Sequence, residues 1–164
     1  MRFVTVIVVL ALCVAVQTGV GRLWPEAPRY IDVMLIPVVW YAIAGSQRSG
    51  MFVGCAAGLL QDAWFQTGAF GIGGFIKTIV GWALGGLGSR FDLNRQPSRF
   101  VFGGLASLTD SLLGLGLRRL LDELAAPPRP HEIIIKAVVS AVLVSGAFGL
   151  TGWFGQRRRR RSTR

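Results

Sequence analysis

The sequence predicts an all-α membrane protein: a bundle of six transmembrane helices with both termini on the cytoplasmic side. Three observations carry that expectation. Apolar residues make up 52% of the 164 and charged residues only 16%, against about 25% charged in soluble domains. The 22 glycines lie largely within the apolar runs, where each costs roughly 1 kcal/mol relative to Ala in a soluble helix. A bilayer holds such helices together, because unsatisfied backbone is prohibitive there, and small residues then let two backbones approach closely. Finally, arginines accumulate on alternate connections between the runs, as they do when one side is cytoplasmic.

A spanning helix needs roughly 20 mostly apolar residues, with latitude for tilt. The runs fall at about 3–20, 31–45, 50–65, 71–88, 100–117 and 133–154, which makes residues 1–155 one transmembrane domain and 156–164 a basic cytoplasmic tail. The first run is read as a span and not a cleaved signal, because no distinct small-residue cleavage site follows it around Ala15, Val16 and Gln17. The second is the shortest, and Pro37 is expected to kink or unwind it, with neighbouring helices repairing the break. A buried re-entrant segment is the other reading of this run. The remaining four follow directly from their apolar length.

Orientation follows from basic residues in the short connections. One side collects eleven arginines: Arg2, Arg48, Arg90, Arg95, Arg99, the run at 157–161 and Arg164. The other side collects five: Arg22, Arg29, Arg118, Arg119 and Arg129. An odd number of spans would put Arg2 and the C-terminal run on opposite faces, so the bias supports the short second span. Trp24, Tyr30 and Trp64 then fall at one interface, and Trp40, Tyr41 and Trp153 at the other.

The net charge of +10 sits mostly beside membrane exits. Topology and attraction to anionic lipid, about 1 kcal/mol per basic residue near the surface, account for it without nucleic acid. The chain has one histidine, His131, in a Pro-rich outer connection, and two cysteines, Cys13 and Cys55, each within a span. No metal site or nucleophile–base pair assembles from these, so no cofactor and no catalytic residue is expected. On the outer side, Arg118 with Asp122 and Arg119 with Glu123 stand at i,i+4, consistent with the fifth helix continuing past the bilayer.

Charge inside the membrane is the chemical feature that remains. Asp62, Lys77 and Asp110 lie in the third, fourth and fifth spans, in the outer half by the helix rise of ~1.5 Å per residue. Such groups are expensive unless they face the bundle interior and find partners. A pairing of Lys77 with Asp62 or Asp110 is therefore expected, the alternative being that each side chain snorkels outward separately. Gly50, Gly54, Gly58 and Asp62 recur every four residues and form one inclined row, answered on the fourth helix by Lys77, Gly81 and Gly85. These rows predict close helix packing.

The stretch Gly50-x3-Gly54-x3-Gly58-Leu59-Leu60-Gln61-Asp62, followed by Gly68 and Gly71 and preceded by Asp32 and Pro37, resembles the bacterial rod shape-determining protein MreD family. The small size and six-span, termini-inside plan agree with that resemblance. The arginine tail is longer, and Trp64-Phe65 bulkier, than the family pattern. The resemblance implies a non-enzymatic scaffold subunit of the cell-elongation machinery in the bacterial inner membrane. It would work with an MreC-like periplasmic protein, the actin-like MreB, and the wall-synthesis proteins RodA and its transpeptidase. The family's fold is similar to the substrate-binding subunits of energy-coupling-factor vitamin transporters, which supplies the alternative function. In that case Asp62, Lys77 and Asp110 would line an outward polar cavity, and separate ATPases would be required, since the chain has no Gly-x4-Gly-Lys-Ser/Thr loop. An intramembrane aspartyl enzyme built on Asp62 and Asp110 is a third reading that no flanking sequence supports.

Overall fold

The structure is a computed structural model that describes residues 3–65, 69–88, 96–121 and 129–161. Among the described residues seven helices follow one another: α1 (Phe3–Leu23), α2 (Ala27–Tyr30), α3 (Leu35–Ala44), α4 (Gln47–Phe65), α5 (Ile72–Gly88), α6 (Gln96–Leu120) and α7 (Pro130–Arg161). The chain is all-helical, with no strand among the described residues. Among the described residues four segments are long and apolar enough to cross a membrane: Val4–Leu23, Ala27–Ala44, Phe100–Leu120 and Pro130–Gly149; Ile72–Gly88 is a shorter apolar helix. Several such helices make this a membrane-embedded, multi-pass protein.

The second apolar run is not one kinked helix. It is divided into α2 and α3 by residues 31–34, where Ile31 is extended (φ −124°, ψ 121°). Pro37, expected to cause the kink, is the third residue of α3. The first four N–H groups of a helix have no intrahelical partner, so a proline at that position costs no hydrogen bond. The break is set instead by Asp32, whose Oδ1 accepts from Met34 N at 3.1 Å while its carbonyl accepts from Leu35 N at 3.3 Å.

At ten residues, α3 is about 15 Å long, half the hydrocarbon thickness of ~30 Å. It survives because it is the centre of the bundle. Met34, Val38 and Val39 are fully buried, and α3 contributes to both apolar clusters. One cluster joins it to α5, α6 and α7 through residues such as Val80, Phe102 and Val144. The other joins it to α1 and α4 through Leu10, Val14 and Ala57. A helix apolar all round is a buried one. Trp40, expected at headgroup level, packs on Phe148 with ring centroids 4.3 Å apart.

Among the described residues, helices α4 and α5 form the most extensive contact. Ser46 caps α4, its Oγ accepting from Ser49 N at 3.3 Å. The two helices run antiparallel: Gly50 faces Gly81, Gly54 faces the Lys77 carbonyl, Gly58 faces Gly73, and Gly85 faces Gln47. Each step of four along α4 is thus matched by a step of about four back along α5. A methyl group on Gly54 or Gly58 would collide with the opposite backbone, so the expected glycine rows do line one seam. The α6–α7 contact is antiparallel too, with Gly103 against Val144 and Gly104 against Ala141.

The last helix continues unbroken from Pro130 through Arg161. The arginine run at 157–161 is therefore carried on helical turns, not on a separate irregular tail. At its start Pro130 occupies the first helical position, and Glu132 Oε2 reaches back to accept from Arg129 N at 3.2 Å.

Candidate functional site

The buried charges converge near the end of the bundle where α3, α5 and α7 begin. Lys77 stands on the second turn of α5 and is 2% exposed, so its ammonium must find partners within the protein. It donates to Asp32 Oδ2 at 2.7 Å and to Asp110 Oδ1 at 3.0 Å. Lys136, on the second turn of α7, donates to Asp110 Oδ2 at 3.1 Å and lies 3.9 Å from Asp32 Oδ2. Two acids and two bases thus alternate in a closed quartet of zero formal charge. It ties together the α2–α3 break, α5, α6 and α7. Every carboxylate oxygen has a donor, the Asp32 Oδ1 contact with Met34 N included.

Asp62 belongs to a different site. Expected beside Lys77 and Asp110, it instead closes the start of α5: its Oδ2 accepts from Gly71 N at 3.0 Å, Gly73 N at 2.8 Å and Gly74 N at 3.2 Å. These are the cap, second and third positions of α5, so one carboxylate from α4 satisfies three otherwise orphaned donors and meets the positive end of the helix dipole. The residue at the cap is Gly71, which has no side chain to do this and sits at φ 101°, a conformation glycine adopts without strain. Asp62 Oδ1 occupies the place a Cβ on Gly73 would take. The carboxylate and the glycines are one fitted unit.

Of the residues singled out from sequence, Lys77 and Asp110 are therefore brought together and Asp62 is not. Gly50, Gly54, Gly58, Gly81 and Gly85 share the α4–α5 seam, Asp32 enters the quartet, and Pro37 lies in the first turn of α3. Gly68 lies outside the described residues, as do Asp122 and Glu123. Sequence reasoning missed two members of the quartet. Lys136 carries no role in the sequence reading, and Asp32 only a motif position. The signal available was charge balance: two lysines in apolar helices require two carboxylates, and Asp32 lies at the head of the run that holds Pro37.

Comparison of the chain with protein-family models, with curated proteins and with solved structures finds no match. The site must therefore be read from its own chemistry.

An acid–base or nucleophilic centre needs a group with a free valence facing a substrate. The quartet has its charges mutually satisfied, and the Asp62 carboxylate is directed at backbone. No group of three or more His, Cys, Asp or Glu that would hold a metal is found among the described residues. Cys13 is buried and Cys55 half-buried, both as free thiols, and His131 is exposed at the start of α7. A mostly apolar groove lies elsewhere, between α1 and α4. What the arrangement of charge and glycine does well is hold helices in fixed register.

Proposed function

We propose that this chain is a non-enzymatic scaffold subunit of the bacterial cell-elongation, or rod shape, complex. In this reading it sits in the inner membrane with six passes (α1, α2 with α3, α4, α5, α6 and α7) and both termini cytoplasmic. It helps organise lateral peptidoglycan synthesis and so maintains cell shape. Its partners are an MreC-like periplasmic protein, RodA with its transpeptidase and, directly or indirectly, the actin-like MreB. It needs no cofactor.

The observation that favours a scaffold over a vitamin-binding transporter subunit is how the intramembrane charges are spent. Asp62, Lys77 and Asp110 are the groups that would line an outward polar cavity, and each is bonded to the protein itself. The rod-complex assignment rests on the resemblance carried by the Gly50 to Asp62 stretch with Asp32 and Pro37. Those residues serve helix contact, helix capping and the quartet, which suits a rigid platform for other membrane proteins. The topology is supported by the arginine bias, since six passes put Arg2 and the 157–161 run on one face.

Purification of the tagged protein in mild detergent tests the proposal. An MreC-like protein and wall-synthesis enzymes are expected in the eluate, and depletion of the protein should round rod-shaped cells. Recovery of an ATPase pair with a bound vitamin would overturn it in favour of the transporter.

A further inference from the structure

The groove between α1 and α4 has a volume of about 700 Å³. Its α1 wall presents, in order along one face, Arg22, Thr18, Val14, Leu10 and Ile7, at steps of three to four residues; Trp64 of α4 also lines it. From Ile7 to Arg22 this stripe runs about 22 Å at the helical rise, longer than one leaflet's share of a ~30 Å hydrocarbon core. A mostly apolar stripe of that length matches an extended hydrocarbon chain.

Its polarity is graded along the same axis. Arg22 is exposed at the end of α1, and no ion pair involves it among the described residues. One turn deeper Thr18 lines the groove, its hydroxyl oxygen buried within the protein. Below it the wall is wholly apolar. Cation and hydrocarbon wall follow one another in the order in which a phospholipid presents phosphate and acyl chain. Trp64 beside the groove supplies the amphipathic ring that favours headgroup level.

We infer that the α1–α4 groove is a binding site for one anionic diacyl phospholipid, its phosphate on Arg22 and an acyl chain along Val14, Leu10 and Ile7. The site depends on membrane embedding and not on the partners proposed above, and its lipid fills the sparse contact between α1 and α4.

Native mass spectrometry of the purified full chain, after incubation with phosphatidylglycerol or phosphatidylcholine of equal chain length, tests the inference. One retained phosphatidylglycerol is expected, preferred about fivefold, the factor for one basic residue meeting an anionic surface. Arg22→Gln should abolish the preference while lipid remains bound. Ala11→Phe, which fills the groove, should remove the retained lipid. Wild-type melting behaviour would establish that this variant folds; if it does not, Ala15→Leu gives the same readout with a smaller side chain. Equal retention of both lipids by the wild type, or unchanged retention in the groove-filled variant, would overturn the site. So would a photoreactive residue at position 15 that labels a protein, be it a second copy or a partner helix, instead of lipid.

Discussion

The two sides of α3 are built differently. On the side of α5, the seam with α4 brings backbone against backbone at Gly50, Gly54 and Gly58, and the quartet of Asp32, Lys77, Asp110 and Lys136 pins α6 and α7 in place. On the other side, α1 touches α2 and α4 through few residues and leaves a groove between them. The contrast follows from composition. The helices α4 and α5 are the two outside the set long and apolar enough to cross a bilayer unaided, and they compensate with glycine-mediated contact and a shared carboxylate. The most apolar candidate span is in α1, and it gains little from protein contact that lipid does not already offer. One side of the bundle is specified by geometry, the other by solvent.

The comparison breaks most visibly at Lys77. Lys77→Met leaves Asp32 and Asp110 with only Lys136 between them, a net negative charge in the bundle interior. Removing one partner of a buried pair costs about 3–5 kcal/mol, so accumulation of a fluorescent fusion in membranes should fall severely; wild-type levels would show that the quartet does not matter. Next comes the seam. Gly54→Leu forces α4 away from α5 and should cost about 1–3 kcal/mol by overpacking, read as a lowered melting temperature in detergent. Asp62→Ala orphans three N–H groups at the start of α5 and should cost about 2 kcal/mol, with hydrogen exchange rising at Gly73 and Gly74 more than in α6. Gly19→Ala on α1 meets nothing within 4 Å and should change stability by less than about 0.5 kcal/mol. A large loss there would mean that α1 is held more tightly than the groove implies.

Much of this architecture is legible in the sequence. Apolar run length located the helices, and the spacing of Gly50, Gly54 and Gly58 against Gly81 and Gly85 located the seam, because a four-residue period places residues on one helix face whatever the partner. Lys77 with Asp110 was legible on the same grounds, since both had to turn inward. The position of the break in the second run is not legible from Pro37, which lies in the first turn of α3; the local signal is Asp32, a residue that accepts hydrogen bonds from backbone two positions on and so starts a helix. The role of Asp62 was not legible from spacing. Its partners are backbone groups nine to twelve residues later, and backbone donors carry no side-chain signature; the one hint is a helix that opens on Gly71, Ile72, Gly73 and Gly74 with no capping side chain of its own.

That buried charge here holds helices together is tested most directly by restoring neutrality. Membrane accumulation and melting temperature are to be compared for Lys77→Met, Asp110→Asn and the two combined. The double variant leaves Asp32 with Lys136, already 3.9 Å apart, and a charge-neutral core. The account predicts that it is more stable than either single variant. Losses that simply add, or single variants indistinguishable from wild type, would contradict it.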